Sequence, residues 1–185
     1  MITQNLSSFN NSWYKPGRNS LIRLLWYFTN ILVMMNPLNP FSGLKVFVLR
    51  LFGSKIGGNV VVKPGVNIKY PWKLKIGDYS WIGEKAWIDN LDMVTIQNNV
   101  CISQGALLLC GNHNYSKASF DLMVDEIFIE EGAWIGAESI VGPGVRVGTH
   151  AILSLGSVAT KDLQEWKIYQ GNPAVIVRER VIKSE

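Results

Sequence analysis

His113 is the side chain in this sequence best suited to moving a proton. Only one other histidine, His150, occurs among the 185 residues. Imidazole changes charge near neutral pH, so a positioned ring can take a proton from a hydroxyl or an amine. A single histidine can equally be a surface residue or a hydrogen-bonded structural group, and we assign a surface position to His150. We predict that His113 is a general base.

Four more polar side chains are spaced so that they could surround His113. Asn112 is its neighbour, and Asp92 precedes Asn112 by twenty residues. Asp89 and Asn90 lie in the same segment as Asp92. Such side chains could hydrogen-bond the hydroxyls of a substrate, an Asp could orient the imidazole, or all four could be ordinary turn residues. We predict that they bind substrate.

A six-residue repeat runs through most of the chain and would position these side chains. An aliphatic residue opens each unit, a smaller residue follows four positions later, and Gly or Pro often falls between. The units open at Ile56, Val62, Ile68, Ile76, Ile82, Ile88, Ile96, Ile102, Leu108, Ile129, Ile135, Val141, Val147 and Leu153. A period of six predicts a parallel β-helix, with one short strand per unit and three units per triangular coil.

One corner of the predicted prism is longer than the others. Each of the first two coils takes twenty residues, although three units need only eighteen, and in the third coil residues 114–128 form a long insertion at the same corner. The fifth position of a unit, small or aliphatic elsewhere, is Trp72, Asp92 or Asn112 at this corner. Long loops on rigid scaffolds usually carry function, and departures from a local pattern are expected at functional sites. The corner beside His113 is therefore the predicted site.

Residues 1–55 precede the repeats and are predicted to form an irregular arm followed by an apolar helical cap. The stretch 21–35 (LIRLLWYFTNILVMM) indicates a helix, but it is shorter than the roughly 20 residues that a bilayer span requires. This helix could cap the open end of the solenoid, as repeat folds require. Alternatively, it could dock at a membrane interface.

The solenoid is predicted to cover residues 56–163, with regular strands stopping after Val158. Residues 164–185 would then be a C-terminal tail, with a turn at Gly171-Asn172-Pro173 and a closing strand or helix over 174–182. The predicted fold class is an all-β solenoid with an N-terminal helical segment.

Composition narrows the classes of function. With 185 residues, 48% of them hydrophobic, the chain supports one core. A net charge of +4 without a dense run of Lys or Arg gives no reason to expect nucleic acid as a partner.

Cys101 and Cys110, with no secretory signal, predict free thiols in a reducing compartment and hence a cytoplasmic protein. Two histidines without a Cys-His cluster predict no metal site.

Two columns of apolar residues should point outward from the solenoid. Trp81, Cys101 and Trp134 share one repeat position at coil spacing, and a second column contains Trp87. Exposed apolar columns usually meet a partner. Packing between subunits is the leading interpretation, and stacking of Trp134 on a ligand is the alternative.

The chain resembles the hexapeptide-repeat acetyltransferases over about residues 56 to 178. The resemblance is carried by GNHNY (111–115), IGAESIVGPGVRVG (135–148), GSVATKD (156–162) and GNPA (171–174). The stretch VNIKYPWKLKIGDYSWIGEKAWIDNLD (66–92) is most similar to the colanic acid biosynthesis acetyltransferases of that superfamily. The resemblance implies a left-handed β-helix, a homotrimer with active sites between subunits, and acetyl-CoA as the co-substrate.

The resemblance also implies roles for individual residues. His113 matches the catalytic base. The cofactor-binding positions are Trp134 beside the site, the backbone amides of Ala137 and Leu155 at the thioester and pantetheine arm, and Thr160, Lys161 and Arg178 near the CoA phosphates.

Three functions compete at this stage. The first is an O-acetyltransferase acting on a sugar hydroxyl of an exopolysaccharide or O-antigen unit, free or lipid-linked, by direct attack with His113 as base. The second is an N-acyltransferase acting on an amino sugar. The third is a non-catalytic trimeric scaffold, against which His113 argues.

Overall fold

The computed structural model describes residues 3–183 as a triangular prism of stacked β-coils. The aliphatic residue that opens each unit points inward, so the core is a stack of buried side chains, such as Val62, Ile82, Ile102, Ile135 and Leu153 on one face. The predicted parallel β-solenoid with an N-terminal helical segment is confirmed.

The strands form three parallel sheets, which we call faces A, B and C. Face A contains β1 (Lys55–Ile56), β4 (Leu74–Ile76), β7 (Val94–Ile96), β12 (Ile127–Ile129) and β15 (Arg146–Val147). Face B contains β2 (Val61–Val62), β5 (Trp81–Ile82), β8 (Cys101–Ile102), β13 (Trp134–Ile135), β16 (Ile152–Leu153) and β18 (Lys167–Gly171). Face C contains β3 (Asn67–Ile68), β6 (Trp87–Asp89), β9 (Leu107–Leu109), β14 (Ile140–Val141) and β17 (Val158–Ala159). The chain passes from A to B to C, so its turns form corners AB, BC and CA.

The strand register agrees with the twenty-residue period. Trp81 pairs with Cys101, and Cys101 pairs with Trp134, so these residues form one column on face B. Trp87 heads the second column, on face C. The tryptophans of both columns are exposed, as predicted.

Helices α1 (Ser20–Thr29) and α2 (Ser42–Leu51) close the first end of the prism. The Asn19 side chain accepts a hydrogen bond from the Ile22 N–H and caps α1, which continues into a π-helical segment, Asn30–Met34. Trp26 is buried, and its Nε1–H donates to the Ile68 carbonyl at 2.9 Å. Among residues 3–183, no helix is both long enough and apolar enough to cross a bilayer.

The prediction that regular strands stop after Val158 is wrong, and of the two alternatives for 174–182 the closing strand is the one present. β18 adds to face B beside β16, and β19 (Ala174–Glu179) folds back on β18 in an antiparallel pair. The segment lacks the six-residue pattern because the bulky ring of Tyr169 takes the inward position and stays buried. The residues assigned to a tail therefore close the second end of the solenoid.

His150 also differs from its prediction as a surface residue. It occupies a corner turn at φ +55°, and its ring packs against Trp166 with centroids 4.3 Å apart. The side chain is half-buried because the last coil covers it.

Candidate functional site

His113 stands where the chain leaves the regular coils at corner CA. The insertion begins as a hairpin of β10 (Gly111–His113) and β11 (Leu122–Val124), in which His113 pairs with Leu122. Gly111 lies close to Leu91 of the coil below, where an added Cβ would meet Leu91 Cδ1 at 2.5 Å. The hairpin therefore starts against the Leu91 side chain of the prism, and its pairing with β11 holds the backbone of His113.

The His113 ring is held by Phe120. The two rings stack with centroids 4.4 Å apart and planes 4° apart, and Nδ1 lies 2.9 Å from the Phe120 carbonyl oxygen. Because a carbonyl oxygen only accepts, Nδ1 must carry the proton and the neutral ring has its lone pair on Nε2. This tautomer leaves Nε2 able to accept a proton. The orienting group is a backbone carbonyl, so the alternative that an Asp orients the imidazole is wrong.

Phe120 itself adopts an uncommon backbone conformation. Its φ is +52°, in the left-handed region that bulky side chains rarely occupy. Such strain concentrates at functional sites, where the surrounding structure maintains it. Here it turns the Phe120 carbonyl toward the imidazole.

A cavity of about 620 Å³ opens beside His113. Asp89 and Asn112 line it together with His113, so the structure brings together three of the predicted site residues. A larger cavity, about 710 Å³, runs along face A, but its lining contains no histidine or cysteine. Of these two cavities, the one at His113 contains a histidine that can act as a base near neutral pH.

Asp89 is the carboxylate best placed to meet a ligand in this cavity. It is 7% exposed, and its Oδ1 lies 2.9 Å from Lys69 Nζ, outside the angles of a hydrogen bond. Lys69 lines the same cavity. The pair presents an acceptor and a donor side by side, which suits a polyhydroxylated molecule.

Asn90 and Asp92 are not part of the cavity lining. Asn90 is fully buried, and its amide bonds the backbone of Tyr70 and Lys73. Asp92 Oδ1 accepts from the Met93 N–H at 2.7 Å. Both side chains hold the turn together, which is the structural alternative that the sequence left open.

The N-terminal arm supplies residues that sequence reasoning missed. Phe9, Asn11 and Tyr14 line the His113 cavity. The arm is anchored by the Tyr14 hydroxyl, which donates to the Leu91 carbonyl at 2.6 Å, and burial raises the pKa of that hydroxyl. The arm has no repeat or periodicity, so its sequence offered no signal for this placement.

The polar cavity continues into an apolar groove of about 450 Å³ between α1 and face C. Arg23, Lys69, Tyr70 and Asp89 line both spaces. Beyond them the groove is lined mainly by apolar side chains, including Trp26, Tyr27, Ile31, Met35 and Trp87. The site therefore has a polar end at His113 and an apolar extension along α1.

Most of the residues that the resemblance assigned to CoA lie elsewhere on the prism. Ala137 and Leu155 occupy corner BC, and neither backbone N–H has a hydrogen-bond acceptor within residues 3–183. A Cβ at Gly136 would lie 2.5 Å from the Leu155 nitrogen, so glycine permits this close approach of successive coils. The corner thus presents the free backbone N–H groups of Ala137 and Leu155 one above the other, which we call the amide ladder. Trp134, on face B just before it, is anchored by an Nε1–H bond to Ser103 Oγ at 2.8 Å.

One chain does not bring this ladder to His113. The two lie at different corners of the prism, with face C between them. Thr160 and Lys161 are exposed at corner CA of the fifth coil, and Arg178 is exposed on β19. Within one chain, Ala137 and Leu155 therefore lie at a different corner from His113, whereas Thr160 and Lys161 lie at the same corner two coils further along.

The two cysteines are poorly suited to form a covalent intermediate. Burial raises the pKa of the Cys110 thiol to about 12 and also raises the pKa of Cys101. Both side chains are therefore protonated near neutral pH, whereas the thiolate is the nucleophile. Within residues 3–183, no group of three or more His, Cys, Asp or Glu side chains is arranged to hold a metal ion.

We expect the double variant Cys101→Ser and Cys110→Ser to keep its transfer activity within a fewfold of the native protein. We also expect native Cys110 to resist iodoacetamide at pH 8, where only about one thiol in 10⁴ is ionised if its pKa is about 12. Mass spectrometry of the alkylated protein measures this. Rapid labelling of Cys110 in the native protein, or loss of activity in the serine variant, would favour a covalent thioester intermediate on cysteine.

Comparisons with known proteins agree with the fold. No protein-family model matches the chain. It is 36% identical over 178 residues to the "Putative colanic acid biosynthesis acetyltransferase WcaF" of Escherichia coli (strain K12), covering 96% of this chain and 98% of that one. A hexapeptide-repeat acetyltransferase of Vibrio cholerae, complexed with acetyl-CoA, superposes with a TM-score of 0.78 over 86% of this chain and 87% of its own, at 18% identity.

A galactoside acetyltransferase in complex with coenzyme A superposes with a TM-score of 0.76, covering 86% of this chain and 80% of its own, at 24% identity. At these identities the solved structures establish the shared fold. The near full-length match to the Escherichia coli protein, together with the triangular solenoid of six-residue units, shows that this chain belongs to the hexapeptide-repeat acetyltransferases.

Proposed function

We propose that the protein transfers the acetyl group of acetyl-CoA to a hydroxyl of a saccharide used in exopolysaccharide or O-antigen biosynthesis. The observation that carries the proposal is the His113 ring, fixed with its Nε2 lone pair available and placed on a cavity that also contains the Asp89–Lys69 pair.

The reaction is a direct transfer in a ternary complex. The acceptor hydroxyl donates its proton to His113 Nε2 while its oxygen attacks the thioester carbonyl carbon. The resulting oxyanion accepts a hydrogen bond from a backbone amide, for which Ala137 is the candidate. Collapse of the tetrahedral intermediate breaks the carbon–sulfur bond, and the protonated imidazole returns its proton to the leaving CoA sulfur.

The site requires a homotrimer in which one subunit supplies His113 and its neighbour supplies corner BC. The exposed columns headed by Trp81 and Trp87 give neighbouring subunits apolar surface to bury. Cyclic symmetry then repeats the shared site at each interface.

The acceptor is a saccharide, and the apolar groove favours one that is lipid-linked. Asp89, Lys69 and Asn112 offer hydrogen-bonding groups to the sugar. The groove along α1 offers an apolar path that begins at the same residues. A free sugar would use only the polar end, whereas a lipid-linked sugar would use both.

Lys161 and Arg178 are the candidates for the CoA phosphates, with Thr160 beside them. Both cations are exposed, so each contributes modestly. We expect Lys161→Ala with Arg178→Ala to raise the KM for acetyl-CoA about tenfold while leaving the KM for the acceptor nearly unchanged. Steady-state kinetics measures both constants. The variant Lys75→Ala with Lys183→Ala removes the same charge elsewhere, and an equal effect there would remove these two residues from the site.

The experiment that tests the function is mass spectrometry of acceptors incubated with the purified protein and acetyl-CoA. Hydroxyl sugars, amino sugars and lipid-linked oligosaccharides form the panel. We expect a gain of one acetyl group on oxygen, removable by mild base. Acetylation confined to nitrogen would favour the N-acyltransferase, and no transfer to any acceptor would favour a scaffold.

A further inference from the structure

The outer surface of the N-terminal cap, residues 18–55, is apolar. On α1 and the π-helical segment the outward residues are Leu21, Leu24, Leu25, Phe28 and Leu32, each between 52% and 67% exposed. On α2 and the segment before it they are Leu38, Phe41, Leu44, Phe47 and Leu51. The opposite sides of the same helices are already buried, with Trp26, Met34 and Leu49 in the core. An exposed apolar surface of this extent on helices whose inner side is already buried normally meets a partner.

The N-terminal part of the chain, which includes the cap, carries a large positive charge. Residues 1–77 contain ten of the eighteen Lys and Arg and none of the fourteen Asp and Glu, a net charge of +10. The rest of the chain, with eight cations and fourteen anions, carries −6. Arg18, Arg23, Arg50 and Lys55 are exposed in or beside the cap, and none of these four forms an ion pair within residues 3–183.

We propose that the cap docks on the surface of an anionic lipid bilayer. An apolar face with exposed cations in or beside it matches that surface in two ways: the apolar side chains enter the acyl boundary, and the cations meet acidic headgroups. Helices of ten residues lying in the plane of the interface suit this geometry.

A second copy of the chain is a poorer occupant of the same surface. Two caps facing each other would bring together two surfaces of like charge, which disfavours association. The columns headed by Trp81 and Trp87 lie on the long sides of the prism, so subunits of the proposed trimer pack side by side. Their caps then share one end of the assembly, and three weak contacts act together on one flat surface.

Docking has a consequence for the acceptor that rests on the proposed function. The apolar groove is bounded by α1, the helix that would lie on the bilayer, and it leads to the His113 cavity. A saccharide anchored in the membrane by its lipid would enter at the apolar end and present its sugar to His113.

The docking itself is tested without the reaction, by co-sedimentation of the purified protein with vesicles of phosphatidylcholine, with and without phosphatidylglycerol. We expect binding that requires phosphatidylglycerol and weakens with salt. Leu24→Ser with Phe28→Ser should weaken binding at least about tenfold. Arg18→Gln with Lys55→Gln should weaken it roughly tenfold on anionic vesicles.

The matched control is Val181→Ser with Ile182→Ser, which removes two exposed apolar side chains outside the cap and should leave binding unchanged. Thermal melting and acetyl transfer to a free sugar establish that each variant is folded. Equal binding of native and Leu24/Phe28-variant protein would overturn the proposal, as would no binding to either vesicle. A shift to a smaller assembly in the cap variant, seen by light scattering, would assign the surface to a second copy.

Discussion

Replacing His113 by Ala is expected to lower kcat for acetyl transfer by about 10²- to 10⁴-fold, the usual contribution of a general base. The acceptor hydroxyl is a poor nucleophile until its proton is removed, and no other histidine lies at the cavity. The dissociation constant for acetyl-CoA, measured by calorimetry, should remain near its native value because the thioester contacts are assigned to another corner.

The control for this variant is His150→Ala. His150 packs against Trp166, away from the cavity lining, so its loss should cost stability more than turnover. The assignment of the base fails if the His113 variant keeps its turnover within a fewfold of native. It also fails if the two histidine variants lose turnover equally.

The repeat could be predicted from the sequence because each coil repeats the same local chemistry. An inward aliphatic residue and a turn-forming residue recur with a fixed period, so the twenty-residue register, such as Trp81 beside Cys101, follows from counting. Strand β18 was missed because Tyr169 fills the inward position with a ring and breaks the pattern.

Only part of the site could be predicted from the sequence. Its corner followed from the lengths of the coils, but the direction of each side chain did not. Along β6 and just beyond it, Ile88 points inward, Asp89 lines the cavity and Asn90 points inward again. Successive side chains of a strand point to opposite faces, so Asp89 and Asn90 have different surroundings although both are polar. The contact between His113 and Phe120 depends on one loop conformation, which no periodic signal encodes.

Ala137→Pro is expected to lower kcat by about 10²- to 10³-fold, the typical effect of removing one donor from an oxyanion site. Proline deletes the N–H while retaining the carbonyl, which accepts a bond from the Gly156 N–H at 2.8 Å. The fold already tolerates this residue: Pro64 holds the equivalent place at corner BC of the first coil, and its carbonyl accepts from Lys85 in the same way. Circular dichroism and melting temperature should therefore remain close to native.

Mixing the two inactive proteins tests whether His113 and Ala137 act across a subunit boundary. If His113→Ala and Ala137→Pro chains are unfolded together in equal amounts and refolded into trimers, each shared site draws one residue from each of two chains. Random assembly then gives about one quarter of sites with both native residues, and activity should recover to roughly that fraction. Light scattering confirms the trimer. If both residues served one site within a single chain, the mixture would remain as inactive as its components, and the intersubunit site would be wrong.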